Sequence, residues 1–355
     1  MATASRERGP AARDERARRA RDWRDGALVG LAGLVLLLLV DALVRDAGAP
    51  RGDDQIYELM AQQPFATHTF PFAYRVLVPT IVYVLPFGDT FSFSLLAWLS
   101  TGAAGGVAYV LMRRFDVAPW LAAALALCLV VSPHLLVSSI RQGRNVDAET
   151  VLVMLAGGLA VADRRPLALG AIVAVGALVR ESALFLVPFA YAVWAAGPLD
   201  RLAARQVVLA ALPGVVLYAV VRYTVPTLGN DYGNAVDEAL ADPGPTLRRI
   251  VTAFGPLWLV APFALRDLPY ARRGLVLVAC CVVSFLFAVD WGRVLLLSAP
   301  VIYVAAGHVL TTRPRAALAT VAAFALLDVV YAVYMQVHGV EAGIVNGPLP
   351  SYPVR

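Results

Sequence analysis

The sequence predicts an all-α protein, a polytopic bundle of transmembrane helices. Two observations carry this reading. Of 355 residues, 59% are hydrophobic and only 15% are charged, where soluble domains run at about 45–50% and about 25%. The apolar residues also gather in runs approaching the roughly 20 residues that a helix needs to cross a bilayer core of about 30 Å. This composition excludes a soluble globular enzyme, a disordered chain and a nucleic-acid-binding module.

The elements follow in order. Residues 1–25 are polar and Arg-rich and read as a cytoplasmic tail, disordered or lying on the membrane surface. The first apolar run, 27–44, is longer than the roughly 7–15 apolar residues of a signal peptide. Ala47-Gly48-Ala49 supplies small residues for cleavage, but the length of the run favours a retained first helix. Later runs lie at 92–112, 118–137, 147–163, 166–179, 182–196, 205–223, 248–265, 274–289, 294–311 and 315–335. The expectation is therefore about eleven helical segments in a transmembrane domain covering 26–335. The runs 166–179 and 182–196 are short, reaching only about 21–23 Å at 1.5 Å per residue. The stretch 76–87 carries Pro79 and Pro86 and is too short to cross. It reads as an interfacial or re-entrant segment that follows the first outer loop, 46–91.

Orientation comes from the arginines. The chain has no lysine and a net charge of +5. With the N-terminus in the cytoplasm, the inner segments are 1–25, 113–117, 164–165, 198–205, 266–273 and 312–315. They hold Arg113, Arg114, Arg164, Arg165, Arg201, Arg205, Arg266, Arg272, Arg273, Arg313 and Arg315, so alternate loops are basic, as the positive-inside rule requires. The sign pattern needs 76–87 not to cross and 166–196 to cross in and back. The outer segments are then 46–91, 138–146, the turn at 180–181, 224–247, 290–293 and a short tail, 336–355.

The outer segments are rich in functional groups. The first holds the adjacent acids Asp53 and Asp54 with Tyr57, Glu58, His68, Tyr74 and Arg75; the second holds Arg141, Arg144, Asn145, Asp147 and Glu149. Arg180 and Glu181 interrupt an apolar stretch of about thirty residues, and charge near membrane depth is costly enough to mark a pathway or a site. Asp290 and Arg293 stand in the last outer turn. In an adjacent acid pair one carboxylate can act as general base while the other orients a donor or helps to hold a divalent cation. Arginines gathered at the outer interface can bind a lipid phosphate, because the guanidinium matches phosphate geometry. Arg75, Arg141, Arg144, Arg180, Arg248, Arg249 and Arg293 are the arginines available for this. His134 reads as a structural histidine. Asp328 lies inside the last apolar run, where an acid is a functional hypothesis by default. Cys128, Cys280 and Cys281 lie in apolar runs without metal-ligand spacing and read as packing residues. The pairs Gly105-Gly106 and Gly157-Gly158 read as helix-packing positions. No nucleotide-binding, hydrolase or zinc motif is present in the sequence.

The order of these features resembles the GT-C type of polytopic glycosyltransferases, within them most closely the small bacterial mannosyltransferase-like membrane proteins. The resemblance covers about 26–312. It rests on Asp53-Asp54 after the first helix, PFAYRVLVP at 71–79, NVDAE at 145–149, LVRESALFLVP at 178–188 and DWGR at 290–293. It implies a bacterial inner-membrane enzyme that moves a sugar from a polyprenyl-phosphate donor to a lipid or glycan acceptor at the extracytoplasmic face. The catalytic base of the family then falls on Asp53 or Asp54, and Arg180 and Arg293 are the first choices for the donor phosphate. Tyr57, Tyr74, Arg75, Arg141, Arg144, Asp147, Glu181 and Asp290 would complete the substrate site. The chain departs from the class in being short and lacking a soluble C-terminal domain. The expected partners are the lipid-linked donor, the acceptor and membrane lipids, with no nucleic acid; a divalent cation is compatible with the acids but not demanded by them. The rival readings are a transporter or lipid flippase using Arg180, Glu181 and Asp328, and a non-catalytic membrane partner.

Overall fold

In a dry surrounding only a helix satisfies its own backbone polar groups, and the apolar runs of this chain fold accordingly. The computed structural model describes residues 10–44, 53–140, 144–229, 235–288 and 290–338. Over the first half of the chain the helices are α1 Pro10–Val44, α2 Asp53–Gln62, α3 Leu77–Val84, α4 Asp89–Arg113, α5 Pro119–Val130, α6 Pro133–Ile140, α7 Asp147–Ala162 and α8 Pro166–Val179. Over the second half they are α9 Leu186–Trp194, α10 Arg201–Thr224, α11 Ala235–Ala241, α12 Pro243–Phe254, α13 Leu257–Val260, α14 Pro269–Val283, α15 Trp291–Leu296, α16 Ala299–Thr311 and α17 Pro314–His338. Proline opens α5, α8, α12 and α14, a position where its missing N–H costs nothing and its fixed φ already suits the helix.

Five helices are long and apolar enough to cross a membrane: α1, α4, α10, α14 with the turn after it, and α17. A sixth is added if α5 and α6, bent by 52° at their break, form one span. These spans leave large apolar side chains uncovered, such as Leu31 and Leu43 on α1, Leu209 and Leu212 on α10, and Leu326 and Val329 on α17. Such side chains suit lipid and would be a liability in water. The shorter helices α7, α8, α9 and α16 fill the interior, where Leu111, Leu125, Met154, Leu155, Phe189 and Tyr303 are fully buried. The short segment after the first loop is α3, eight residues from Leu77 to Val84, about 12 Å long and unable to span.

Lipid offers no hydrophobic gain for helix–helix contact, so close packing of small residues carries it. The α1–α4 contact is such a seam. A Cβ placed on Gly30 would stand 2.8 Å from the Gly102 carbonyl oxygen, and one on Gly106 would stand 2.7 Å from the Gly26 carbonyl oxygen. The two backbones therefore touch directly.

The bundle has two polar ends. At one end Asp22, buried in α1, accepts from Arg113 (3.2 Å) and Arg114 (3.4 Å), and Arg114 also reaches Asp163 at 3.1 Å. Arg18 pairs with Asp116 at 3.0 Å. The Arg-rich segment is thus not a free tail from residue 10 onward: it continues α1 as helix, because its acids and arginines find partners on the α4–α5 turn and beyond α7. The other end lies across the length of α7, which starts at Asp147 and stops just before Asp163, a rise of about 24 Å. There the strand β1 His68–Thr69 pairs in parallel with β2 Thr227–Leu228, tying the first loop to the end of α10.

Candidate functional site

At the Asp147 end, three helix starts converge on one guanidinium. Asp53 opens α2, Asp147 opens α7, and Asp290 caps α15 by accepting the Arg293 backbone N–H at 3.1 Å. An acid at a helix N-terminus is favoured by the unpaired N–H groups and the helix dipole, so local sequence alone plants these carboxylates. Asn145 fixes the entry to α7, its Oδ1 accepting from the backbone N–H groups of Val146 and Asp147. The Arg293 guanidinium then joins the three acids: Nε donates to Asp290 at 2.9 Å, while Nη1 donates to Asp147 at 3.0 Å and lies 3.5 Å from Asp53.

Asp147 also accepts from Arg180, on its other oxygen. Arg180 is the extended residue that ends α8 and turns the chain into the 3-10 turn Glu181–Phe185. Its neighbour Glu181 takes a two-pronged grip from Arg75, Nε at 3.1 Å and Nη2 at 2.7 Å, and Arg75 Nη1 donates to the buried Tyr57 hydroxyl at 3.0 Å. Bidentate charge-assisted pairs of this kind are the stronger, geometrically specific ones. The Arg75 guanidinium lies over the Phe72 ring, 5.0 Å from its centroid.

The structure thus brings together Asp53, Tyr57, Arg75, Asp147, Arg180, Glu181, Asp290 and Arg293. It separates the others. Asp54 is buried on α2, whereas the Asp53 side chain is 29% exposed. Tyr74 faces Tyr218 and Arg222 in an aromatic cluster with Phe70. Arg144 donates to Thr90 at 2.9 Å. Arg141 lies outside the described residues. His134 is held by structure, its Nε2 within 2.9 Å of the Arg249 carbonyl oxygen and 3.1 Å of the Thr252 hydroxyl.

Three arginines face four acids here, leaving one net negative charge. Burial opposes ionisation of Asp290, but Arg293, His134 and Arg249 overcome it and hold the carboxyl below the usual range. Burial also works against ionised Glu181; Arg75, its hydrogen bonds and Arg180 overcome it and pull the group down to about 2. Both acids are therefore anions at neutral pH. Not every guanidinium nitrogen is used. Among the described residues Arg180 gives only Nη1, and Arg293 gives Nε and Nη1, so within them Arg180 Nε and Nη2 and Arg293 Nη2 have no protein partner and can meet a ligand oxygen. No group of three or more His, Cys, Asp or Glu able to hold a metal occurs among the described residues. The acids around Arg293 turn onto the guanidinium instead of sharing a cation position.

The apolar pattern that makes α2 a helix went unread in the sequence, where 46–91 stood as loop. Ile56, Tyr57, Met60 and Ala61 form its buried face, a spacing that signals an amphipathic helix. The aromatic cluster around Arg222 was missed as well, since nothing local links Phe70 to α10. No protein-family model matches this chain, and no curated protein is similar to it.

Proposed function

We propose that the chain is an integral membrane glycosyltransferase that moves a sugar from a polyprenyl-phosphate donor to a lipid or glycan acceptor at the extracytoplasmic face. The observation that carries this reading is the partly exposed Asp53 carboxylate, 3.5 Å from an arginine that also binds Asp147 and Asp290. A base able to take a proton stands beside guanidinium nitrogens able to receive a phosphate. On this reading Asp53 accepts the proton of the acceptor hydroxyl as its oxygen bonds to the anomeric carbon. The bond from that carbon to the lipid phosphate breaks, and the phosphate leaves with the electron pair. The free nitrogens of Arg180 and Arg293 take up the charge gained by the phosphate oxygens, a stabilisation that grows where water is scarce. Arg75, Tyr57 and Glu181 hold Arg180 and its turn in place. The finer architecture, eleven segments with a GT-C arrangement and a cytoplasmic N-terminus, belongs to the same proposal, as does a bacterial inner-membrane location.

The test uses purified protein in lipid, a panel of radiolabelled polyprenyl-phosphate sugars and a membrane-lipid extract, with products separated by thin-layer chromatography. A new labelled product is expected. Asp53→Asn should slow its formation by about 10²–10⁴-fold, the usual worth of a general base, while Asp54→Asn, at a buried position on α2, should slow it far less. Full transfer by Asp53→Asn would overturn the assignment of the base.

A transport reading has one observation of its own. Asp328 lies in the apolar span α17, buried, with neither carboxyl oxygen hydrogen-bonded. That reading predicts flux of a lipid or solute across liposomes, abolished by Asp328→Asn, and no covalent product.

A further inference from the structure

Two buried neutral donors flank the Asp147–Arg180 ion pair, one from each side. Asn145, 4% exposed, precedes Asp147 by two residues, and Ser182, 5% exposed, follows Arg180 by two. Asn145 Oδ1 accepts from the backbone N–H groups of Val146 and Asp147. These bonds fix which way the amide lies, because a flipped amide would set N–H against N–H. Its Nδ2 then carries two N–H donors, and among the described residues they meet no partner. The Ser182 hydroxyl is unpartnered there as well.

Other buried hydroxyls of the chain are met from within. Ser132, Ser138, Ser139 and Thr150 each donate to a carbonyl three or four residues back. Ser182 lacks that option, because the extended Arg180 breaks the helix between α8 and the 3-10 turn. A buried donor without a partner is costly and calls for an acceptor from outside the chain. Asn145 Nδ2 can only donate, so that acceptor is an oxygen, and it need carry no charge. A charged one is better met by the guanidinium nitrogens of Arg180 and Arg293.

We propose that Asn145 and Ser182 bind hydroxyl oxygens of the donor sugar and so help to set which sugar is accepted. The inference rests on the glycosyl-transfer reading, in which Arg180 and Arg293 take the lipid phosphate. The sugar is bonded to that phosphate, so its hydroxyls come to lie beside the Asp147–Arg180 pair, where the two neutral donors are. A site built to hydrogen-bond a hydroxyl discriminates strongly against a substrate that lacks it, since its buried donors are then left unmet.

Transfer by the purified protein in lipid tests it, with the labelled donor that yields product and sugar-free polyprenyl phosphate as a competing inhibitor. Asn145→Ser keeps an oxygen at the entry to α7 but loses the amide donors; Ser182→Ala loses the hydroxyl. Each should lower kcat/KM about tenfold, the worth of one hydrogen bond, while inhibition by the sugar-free phosphate keeps its wild-type strength. The unfolding midpoint of Ser182→Ala should not fall, since that hydroxyl has no partner to lose. Tyr303→Phe, which removes an unpartnered hydroxyl in the main core, should transfer at the wild-type rate. Wild-type kcat/KM in Ser182→Ala would overturn the inference, whether or not Asn145→Ser folds: the hydroxyl would then meet only water. An equal loss of inhibition by the sugar-free phosphate would overturn it too, by placing the phosphate at these donors. No product from the wild-type protein with any donor is a separate result, which overturns the glycosyl-transfer reading itself.

Discussion

Asp147 is buried and holds two guanidiniums, one on each carboxyl oxygen. Removing one partner of a buried ion pair leaves the other charge without compensation, at a cost of about 3–5 kcal/mol. Asp147→Ala strands Arg180 and leaves Arg293 to Asp290 and Asp53 alone, so it should lower stability by about that amount, read as a fall in the thermal unfolding midpoint in detergent. Asp147→Asn keeps the shape and two acceptor lone pairs and should cost less. Asp54→Asn changes no pair in this network and serves as the control for helix α2. Glu181 gives a pH signature. Its folded value, about 2, lies below the ordinary 4.5. Its stabilising share is therefore complete above about 4.5 and is lost as pH falls from there toward about 2. The unfolding midpoint should drop over that window, and Glu181→Gln should flatten the drop; an equally steep drop in the variant would place its cause elsewhere. These residues were individually legible in the sequence, because an acid before an apolar run is a helix-start signal and an arginine between two apolar runs is conspicuous. Their pairing was not. Arg293 meets Asp147 from 146 positions away, and Arg75 meets Glu181 from 106; such contacts are set by how helices dock, which no local pattern encodes.

The element most exposed to a single change is the α1–α4 seam. Its backbones meet at Gly26, Gly30, Gly102 and Gly106. At Gly30 and Gly106 the obstacle is a carbonyl oxygen, which cannot swing aside as a side chain can. Gly30→Leu should force the helices apart and destabilise the protein by about 1–3 kcal/mol, the usual cost of overpacking. The same substitution at Gly197, where an added Cβ would meet nothing within 4 Å, should be silent. Equal midpoints for the two variants would mean that the seam is not held by close approach. The glycine pair at 105–106 could be read as a packing site from sequence, but its partner on α1 could not. The Arg-rich start of α1 misled for the opposite reason. Its charge pattern is that of a solvated segment, and only the docking of Asp22 between Arg113 and Arg114 turns that segment into the first turns of a long helix. The proline-led starts of α5, α8, α12 and α14 were within reach of local reading, since proline at the first helical position carries its own physics.

At the scale of the molecule the two ends differ in kind. The Asp22 end is an arginine-rich lock between α1, the α4–α5 turn and the end of α7. The Asp147 end gathers acids at helix starts around three arginines. Basic loops are retained in the cytoplasm during insertion, so the Asp22 end is predicted to be cytoplasmic and the Asp147 end extracytoplasmic. Two exposed positions report on this directly: Asp116, whose side chain is 77% exposed beside Arg18, and Leu228, 58% exposed on β2. With Cys128, Cys280 and Cys281 replaced by alanine, single variants Asp116→Cys and Leu228→Cys can be treated in intact cells with a membrane-impermeant maleimide. Labelling of Leu228→Cys, with Asp116→Cys reacting only after the membrane is opened, is the expected result. The reverse pattern would put the Asp53–Arg293 cluster at the cytoplasmic face. A lipid-linked donor would then have to be met in the inner leaflet, where soluble nucleotide sugars compete as donors, and the reason for assigning the free arginine nitrogens to a polyprenyl phosphate would fall with it.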